Sequence, residues 1–288
     1  MKKLLVPVDF SEQSINAFRF ALDVAAKCSG SVLLLHVIAL PVLHDSVIVP
    51  IEGLRQPLID ELKEVVRQRF SRIIEMYNSH QVGVSTEVVV SNRIHDTIID
   101  QVEKEKADLV VMGTKRASGI WGWMVGSNTE NIVRTAPVPV LAIKQYVPGK
   151  RIRNIIFPNA LDLKNQEELV IKVKALQDLF NARLHIIWVN TPALYQPDSD
   201  IRRQLAAFAE KFMLKDFTIN VFNYNNEEAG ILEFTRQING DLIAMGTHGL
   251  TGFAHLFCGS IAENVATHVD WPVWTYHPKP EISVTSEQ

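Results

Sequence analysis

The chain predicts an α/β fold of two tandem domains, each a doubly wound, five-stranded parallel sheet flanked by helices. Three observations carry this. Apolar runs of strand length alternate with helical stretches. The alternation occurs twice along 288 residues, 47% of them hydrophobic, enough for two average domains. Finally, "MGTKRASGIWGWMVGS" at 112–127 returns as "MGTHGLTGFAHLFCGS" at 245–260. Over 112–140 against 245–273, ten of 29 positions are identical, and upstream "ADLVVMGT" answers "GDLIAMGT". That marks duplication of a whole domain, not a short repeat array.

In the first half, "KLLVPVD" and "SVLLLHVIA" are nearly continuous apolar runs, as strands buried on both faces of a parallel sheet require. A helix lies between them. Ser11 can cap it, Ile15, Phe18, Leu22 and Ala25 recur at helical spacing, and Gly30 follows its end. Next come a helix over 57–77, the strand "VSTEVVV", a helix over 94–106 and the strand "DLVVMG". The glycine loop follows, then a helix from Ser127 and the strand "VPVLAI". The second half repeats the order with strands "RNIIFP", "RLHIIWVN", "TINVFN", "DLIAMG" and "PVWTY", and helices near 165–180, 201–214, 228–238 and 260–268. Right-handed crossovers follow from the alternation. Pro148 and Gly149 punctuate "QYVPGKRIR", so the expected domains are 1–147 and 148–280, with a tail at 281–288.

The composition excludes several classes. A charged fraction of 21% and a net charge of −3 carry no global attraction for nucleic acid or anionic membrane. Cys28 and Cys258 make no disulfide framework and suit a reducing compartment. The start "MKKLLVPVDF" is no signal peptide, and the most apolar window is broken by His36, Pro41, His44 and Asp45. A soluble, cytoplasmic protein is expected.

The repeated loop leaves a buried strand and opens onto a helix. Ligands of open α/β sheets bind at the carboxyl ends of strands. Helix-start N–H groups favour anions, and glycines let backbone approach phosphate oxygens. The residues thus point to a nucleotide site, with a plain structural turn as the bland alternative.

On these residues the chain resembles a tandem universal stress protein over nearly its whole length. The fold implied is a pair of Rossmann-like, adenine nucleotide alpha hydrolase-like domains packed as a pseudo-dimer. Nucleotide-binding members of that family carry Gly, two residues, Gly, nine residues, Gly, then Ser or Thr. Gly246, Gly249, Gly259 and Ser260 match throughout; Gly113, Gly126 and Ser127 match in the first half, which departs at Arg116. The family's nucleotide-contacting aspartate at the end of the first strand is Asp9 in "LLVPVDFSEQS". In the second half, "IIFPNALDLKN" puts Asn159 or Ala160 there, depending on the gap. The resemblance further implies adenine contacts at Pro7, Val8 and Val37 in the first half and Val189 in the second, with Met112 and Met245 lining the phosphate side.

Each half therefore lacks one part. Arg116 brings a β-carbon where backbone must approach phosphate, costing roughly 1 kcal/mol or more if φ is positive there. Alternatively its guanidinium, with Lys115, replaces N–H contacts by charge. The second half loses a carboxylate worth one or two hydrogen bonds of about 1 kcal/mol each. The second domain is the expected ATP site.

Other constellations carry less. His248, His255 and Cys258 do not require a metal, and no Ser-His-Asp or Cys-His arrangement can be assembled from spacing. His36 and His185 read as satisfied strand histidines, His95 as a surface one, and Ser127 and Ser260 as helix caps. Trp121, Trp123 and Met124 either pack over the cleft or at the domain interface, or plug the nucleotide site, and "PVLHDSVIVPIEGLRQPLID" is an apolar insertion, a lid or a subunit contact. The last strands, "VPVLAIK" and "PVWTYH", need covered edges, which pairing of the two domains through them supplies. A homodimer of chains is open.

The resulting expectation is a stress-response sensor or regulator that binds an adenine nucleotide, with at most the slow ATP hydrolysis or autophosphorylation of some relatives. The alternative is a protein-interaction module with vestigial sites, filled by side chains or an apolar ligand. A nucleotide hydrolase is disfavoured by the lack of a Ser-Gly-Gly phosphate signature.

Overall fold

The computed structural model describes residues 1–39, 52–114, 127–159, 166–246 and 271–277. The apolar run Leu4-Leu5-Val6 forms the centre of β1 (Lys3–Pro7), with all three side chains fully buried. Each such burial contributes on the order of 1.5–3 kcal/mol, which places this strand inside the sheet. Helix α1 (Glu12–Cys28) turns Ala17, Phe18, Ala21, Leu22 and Ala25 inward. Its start is capped by Ser11, whose Oγ accepts from the Ser14 N–H. Its end differs from expectation, since the left-handed residue is Ser29, at φ 50°. Gly30 serves a different need, as a β-carbon there would lie 3.0 Å from the Lys2 carbonyl oxygen.

Strand β2 (Ser31–Ile38), helix α2 (Glu52–Tyr77), β3 (Gly83–Val90), α3 (Ile94–Lys104) and β4 (Leu109–Gly113) follow. Helix α2 begins before Pro57, which it carries within its span. Strand β1 lies between β2 and β4, parallel to both, and β3 flanks β2, so the order is β3-β2-β1-β4. Helix α4 (Ser127–Thr135) and β5 (Val140–Ile143) complete the first repeat.

The second repeat contains β6 (Asn154–Pro158), α5 (Glu167–Phe180), β7 (Arg183–Asn190), α6 (Asp198–Lys211), β8 (Phe217–Asn223), α7 (Glu227–Gln237), β9 (Leu242–Gly246) and β10 (Val273–Tyr276). Helix α6 starts three residues before the expected Ile201. Asp198 and Asp200 in its first turn complement the positive end of the helix dipole. Its expected last residue, Leu214, is buried but outside the helix, beyond Met213 at φ 48°. Strand β6 lies between β7 and β9, β8 flanks β7, and β10 flanks β9, all parallel. The expected helix over 260–268 and the tail at 281–288 lie outside the described residues.

Two compact units result: 1–132 with 143–146, and 133–142 with 147–288. The division differs from a single cut at 147. Residues 140–142 of β5 run antiparallel to β10, with Ala142 opposite Val273 and Val140 opposite Thr275, which groups them with the second unit.

Both units begin with the same device. Asp108 Oδ2 accepts the Lys2 and Lys3 N–H groups at 2.6 and 3.0 Å. Asp241 Oδ2 accepts those of Arg153 and Asn154 at 2.9 and 2.8 Å. An aspartate ahead of the fourth strand thus holds the entry of the first. From Asp241 a polar chain crosses the sheet. Asn154 Nδ2 donates to it, His185 lies between Asn154 Oδ1 (Nε2, 3.1 Å) and Thr218 Oγ1 (Nδ1, 2.8 Å), and Asn220 Nδ2 donates to Thr218. Asn154 Oδ1 only accepts, so the proton of neutral His185 sits on Nε2 and Thr218 donates to Nδ1. Desolvation first, then the Arg183 guanidinium, hold the His185 pKa below its usual value, against Asp216 and Asp241.

A lowered folded-state pKa means that the unfolded chain takes up this proton first. The His185 contribution is intact above about pH 6.5 and is lost as pH falls through the folded value. Urea midpoints followed by tryptophan fluorescence should therefore fall between about pH 7.5 and about pH 5.5, with a shallower fall in His185→Gln. Asp241→Ala removes three hydrogen bonds to a carboxylate and should cost about 2 kcal/mol or more in the same measurement.

Candidate functional site

In each unit the chain leaves the central strand in two directions. From β1 it proceeds to β2 on one side, while β4 occupies the other; β6, β7 and β9 repeat this. A crevice opens at the carboxyl ends where strand order reverses, so β1/β4 and β6/β9 are the switch points at which such sheets take ligands.

At the first switch point the structure brings Asp9, Gly113 and the start of α1 together. Asp9 is exposed just after β1, and its Oδ1 accepts both the N–H and the O–H of Ser11, at 2.9 and 2.5 Å. Phe10 between them adopts φ 62°, a left-handed conformation that costs a non-glycine residue roughly 1 kcal/mol. Its ring packs 5.1 Å from His36 and 5.3 Å from Phe70. Gly113 ends β4. A β-carbon there would fall 2.4 Å from the Gln13 carbonyl carbon and 2.5 Å from Ser14 N. The first turn of α1 therefore rests directly on this glycine beside the switch point, and helix starts favour anions.

The other expected first-half residues differ in availability. Met112 and Val8 are buried, and Pro7 and Val37 are half-buried. Val8 donates its N–H to Leu35 O at 2.8 Å, and its carbonyl oxygen accepts from His36 Nδ1 at 2.6 Å. His36 is thus a satisfied histidine that occupies backbone assigned to adenine by resemblance. Ser127 is the first residue of α4. Gly126, Lys115, Arg116, Trp121, Trp123 and Met124 lie outside the described residues, as does the 40–51 part of the apolar insertion.

In the second unit, register resolves the ambiguity at the end of β6. Pro7 pairs with Leu35, whose carbonyl oxygen accepts from Val8; Pro158 pairs with Ile187, whose carbonyl oxygen accepts from Asn159. Asn159 therefore stands where Val8 stands; Ala160, next in the sequence, lies outside the described residues. Asn159 is buried, its Nδ2 directed to Gln166 Oε1 at 3.2 Å. Met245 is buried and Gly246 half-buried at the end of β9. Val189 is buried under α7, so close that a β-carbon on Gly230 would lie 2.5 Å from its Cγ1. Gly249, Gly259, Ser260, His248, His255 and Cys258 lie outside the described residues.

Several polar residues here escaped the sequence reading. Tyr276, paired with Gly246, donates its O–H to Glu168 in the first turn of α5. Burial first, then this carboxylate, push the Tyr276 pKa up, so the phenol keeps its proton and remains a donor. The Asn190 side chain clamps the chain after β7, donating to Gln196 O and Asn223 Oδ1 and accepting from Gln196 N. Among the described residues, Trp188 Nε1 and Thr191 Oγ1 are buried without a hydrogen-bond partner. Trp188 takes the position that His36 holds in the first unit, a swap visible only once the strands are in register. His95, expected at the surface, is half-buried, with Nδ1 2.9 Å from Asp96 Oδ1. Among the described residues no group of three or more His, Cys, Asp or Glu could hold a metal, and no helix is long and apolar enough to cross a membrane.

Two parallel α/β units, each with a glycine at the strand end beside the switch point, define a tandem α/β repeat protein. The universal stress protein family matches residues 1–144 and 165–277, and the chain belongs to that family. Universal stress protein E of Photorhabdus laumondii is 23% identical, over 96% of this chain and 95% of its own. A single-domain-sized relative from Methanocaldococcus jannaschii is 29% identical over 144 residues, half of this chain and 82% of its own. A universal stress protein from Archaeoglobus fulgidus shares the fold, with a TM-score of 0.73 at 20% identity, covering 96% of this chain and 98% of that one.

Gly113→Ala must push apart backbone from two elements rather than a flexible side-chain tip. It should lower the stability of the first unit by about 2 kcal/mol or more, read as a lower urea midpoint.

Proposed function

We propose that this universal stress protein binds an adenine nucleotide, ATP, at the carboxyl ends of β6 and β9, and acts as a cytoplasmic sensor or regulator of stress responses. The observation that carries the reading is the complete spacing Gly246, Gly249, Gly259, Ser260, starting at the last residue of β9 beside the switch point. There, glycines permit close approach of backbone N–H groups to phosphate. Met245 and Gly246 would border the phosphates, and Val189 the base.

The first unit is the weaker site in this reading. It keeps Asp9 but has Arg116 in place of the second loop glycine. Its Val8 carbonyl oxygen is already taken by His36, and the Asp9 carboxylate already holds Ser11. With no carboxylate at either Asn159 or Ala160, the second unit forgoes one or two hydrogen bonds of about 1 kcal/mol each. Lost approach to a polyphosphate costs more, because several N–H contacts go together.

Calorimetric titration of the full chain with ATP should give one equivalent bound. Gly249→Arg should weaken binding at least about tenfold, whereas Asp9→Asn should leave it nearly unchanged. Arg116→Gly should raise the stoichiometry toward two. Binding abolished by Asp9→Asn and spared by Gly249→Arg would move the site to the first unit. No heat, together with no thermal shift at millimolar ATP, would favour a protein-interaction module with both sites vestigial.

A further inference from the structure

Helix α2 is only partly seated on its sheet. Val66, Phe70 and Ile73 are buried, but Leu58 is 53%, Val65 48% and Met76 69% exposed. At 3.6 residues per turn these three share one flank of the helix with Leu62, Arg69 and Arg72. An exposed apolar stripe of this kind marks a contact surface.

Several charges on α2 are already engaged. Gln56 donates to Asp60, Gln68 donates to Glu64, Arg67 pairs with Glu64 at 3.6 Å, and the Arg69 guanidinium lies 5.1 Å from the centre of the Phe10 ring. Two exposed charges along the stripe, Glu61 and Arg72, make no ion pair among the described residues. They are opposite in sign and about 16 Å apart along the axis, too far to meet within one helix.

We propose that this flank of α2 is a self-association surface whose occupant is α2 of a second copy, running antiparallel. A two-fold axis near residues 66 and 67 sets Glu61 against Arg72 of the other copy, and the reciprocal pair forms at the other end. Leu58 then faces Met76 of the other copy, and Val65 lies against the aliphatic stem of Arg69 of the other copy near the axis. This is the self-complementary arrangement that a two-fold contact requires. A parallel arrangement would set Glu61 against Glu61 and Arg72 against Arg72, so charge selects the antiparallel one. The stripe is about 27 Å long and one helix wide, well below the ~800 Å² per partner of a tight interface. The association is therefore weak, reversible and weakened by salt.

Sedimentation equilibrium of the full chain at low salt, up to several hundred micromolar, should show a mass rising toward twice that of the monomer. Glu61→Arg and Arg72→Glu should each weaken association at least about tenfold, with unchanged far-ultraviolet circular dichroism. An equimolar mixture of the two variants should associate one to one, because one copy then carries two arginines and the other two glutamates. A wild-type chain that stays monomeric overturns the proposal. So does either variant associating like wild type, or a mixture that stays monomeric.

Discussion

The closest constraint in the first unit is the contact between Gly113 and the backbone of Gln13 and Ser14. A single methyl group at that strand end would collide with peptide atoms at 2.4–2.6 Å. The missing side chain lets α1 start directly above the junction of β1 and β4. That position sets the entry of α1, and with it Phe10 at φ 62° and the Asp9–Ser11 turn. The glycine is thus a packing residue before it is a ligand residue. Its presence alone says little about what the crevice holds.

Much of the architecture was readable from pattern. Continuous apolar runs such as Leu4-Leu5-Val6 are fully buried on both sides, and the doubled order of elements became two units with the same strand arrangement. What pattern could not supply was governed by tertiary geometry. Ser29, not Gly30, takes the left-handed turn after α1, because Gly30 is needed where the chain passes the Lys2 carbonyl. Helix α6 begins at Asp198, where acidic residues meet the helix dipole, rather than at the first apolar residue. At the site, the strand-end residues Asp9, Gly113 and Gly246 were found by motif. The equivalence of Asn159 with Val8 needed the strand register, because gap placement in a linear comparison leaves it free.

The two units have diverged in their polar interiors more than in their frames. Asp108 and Asp241 do the same work at the strand entries. Yet His36, donating to Val8 O, is answered by Trp188, whose indole nitrogen has no partner among the described residues, and β7 carries His185 in a chain of hydrogen bonds. A duplicated frame held by conserved geometry leaves each crevice free to change its chemistry separately.

The antiparallel pairing of β5 with β10 has a consequence for how this molecule can be divided. The border of the duplicated sequence and the border of the compact unit do not coincide. A fragment starting after residue 147 would carry all of the second repeat's own strands, but would expose one long side of β10. Protein engineers seeking a stand-alone second half should carry the ten residues 133–142 along, by circular permutation or as a co-expressed peptide.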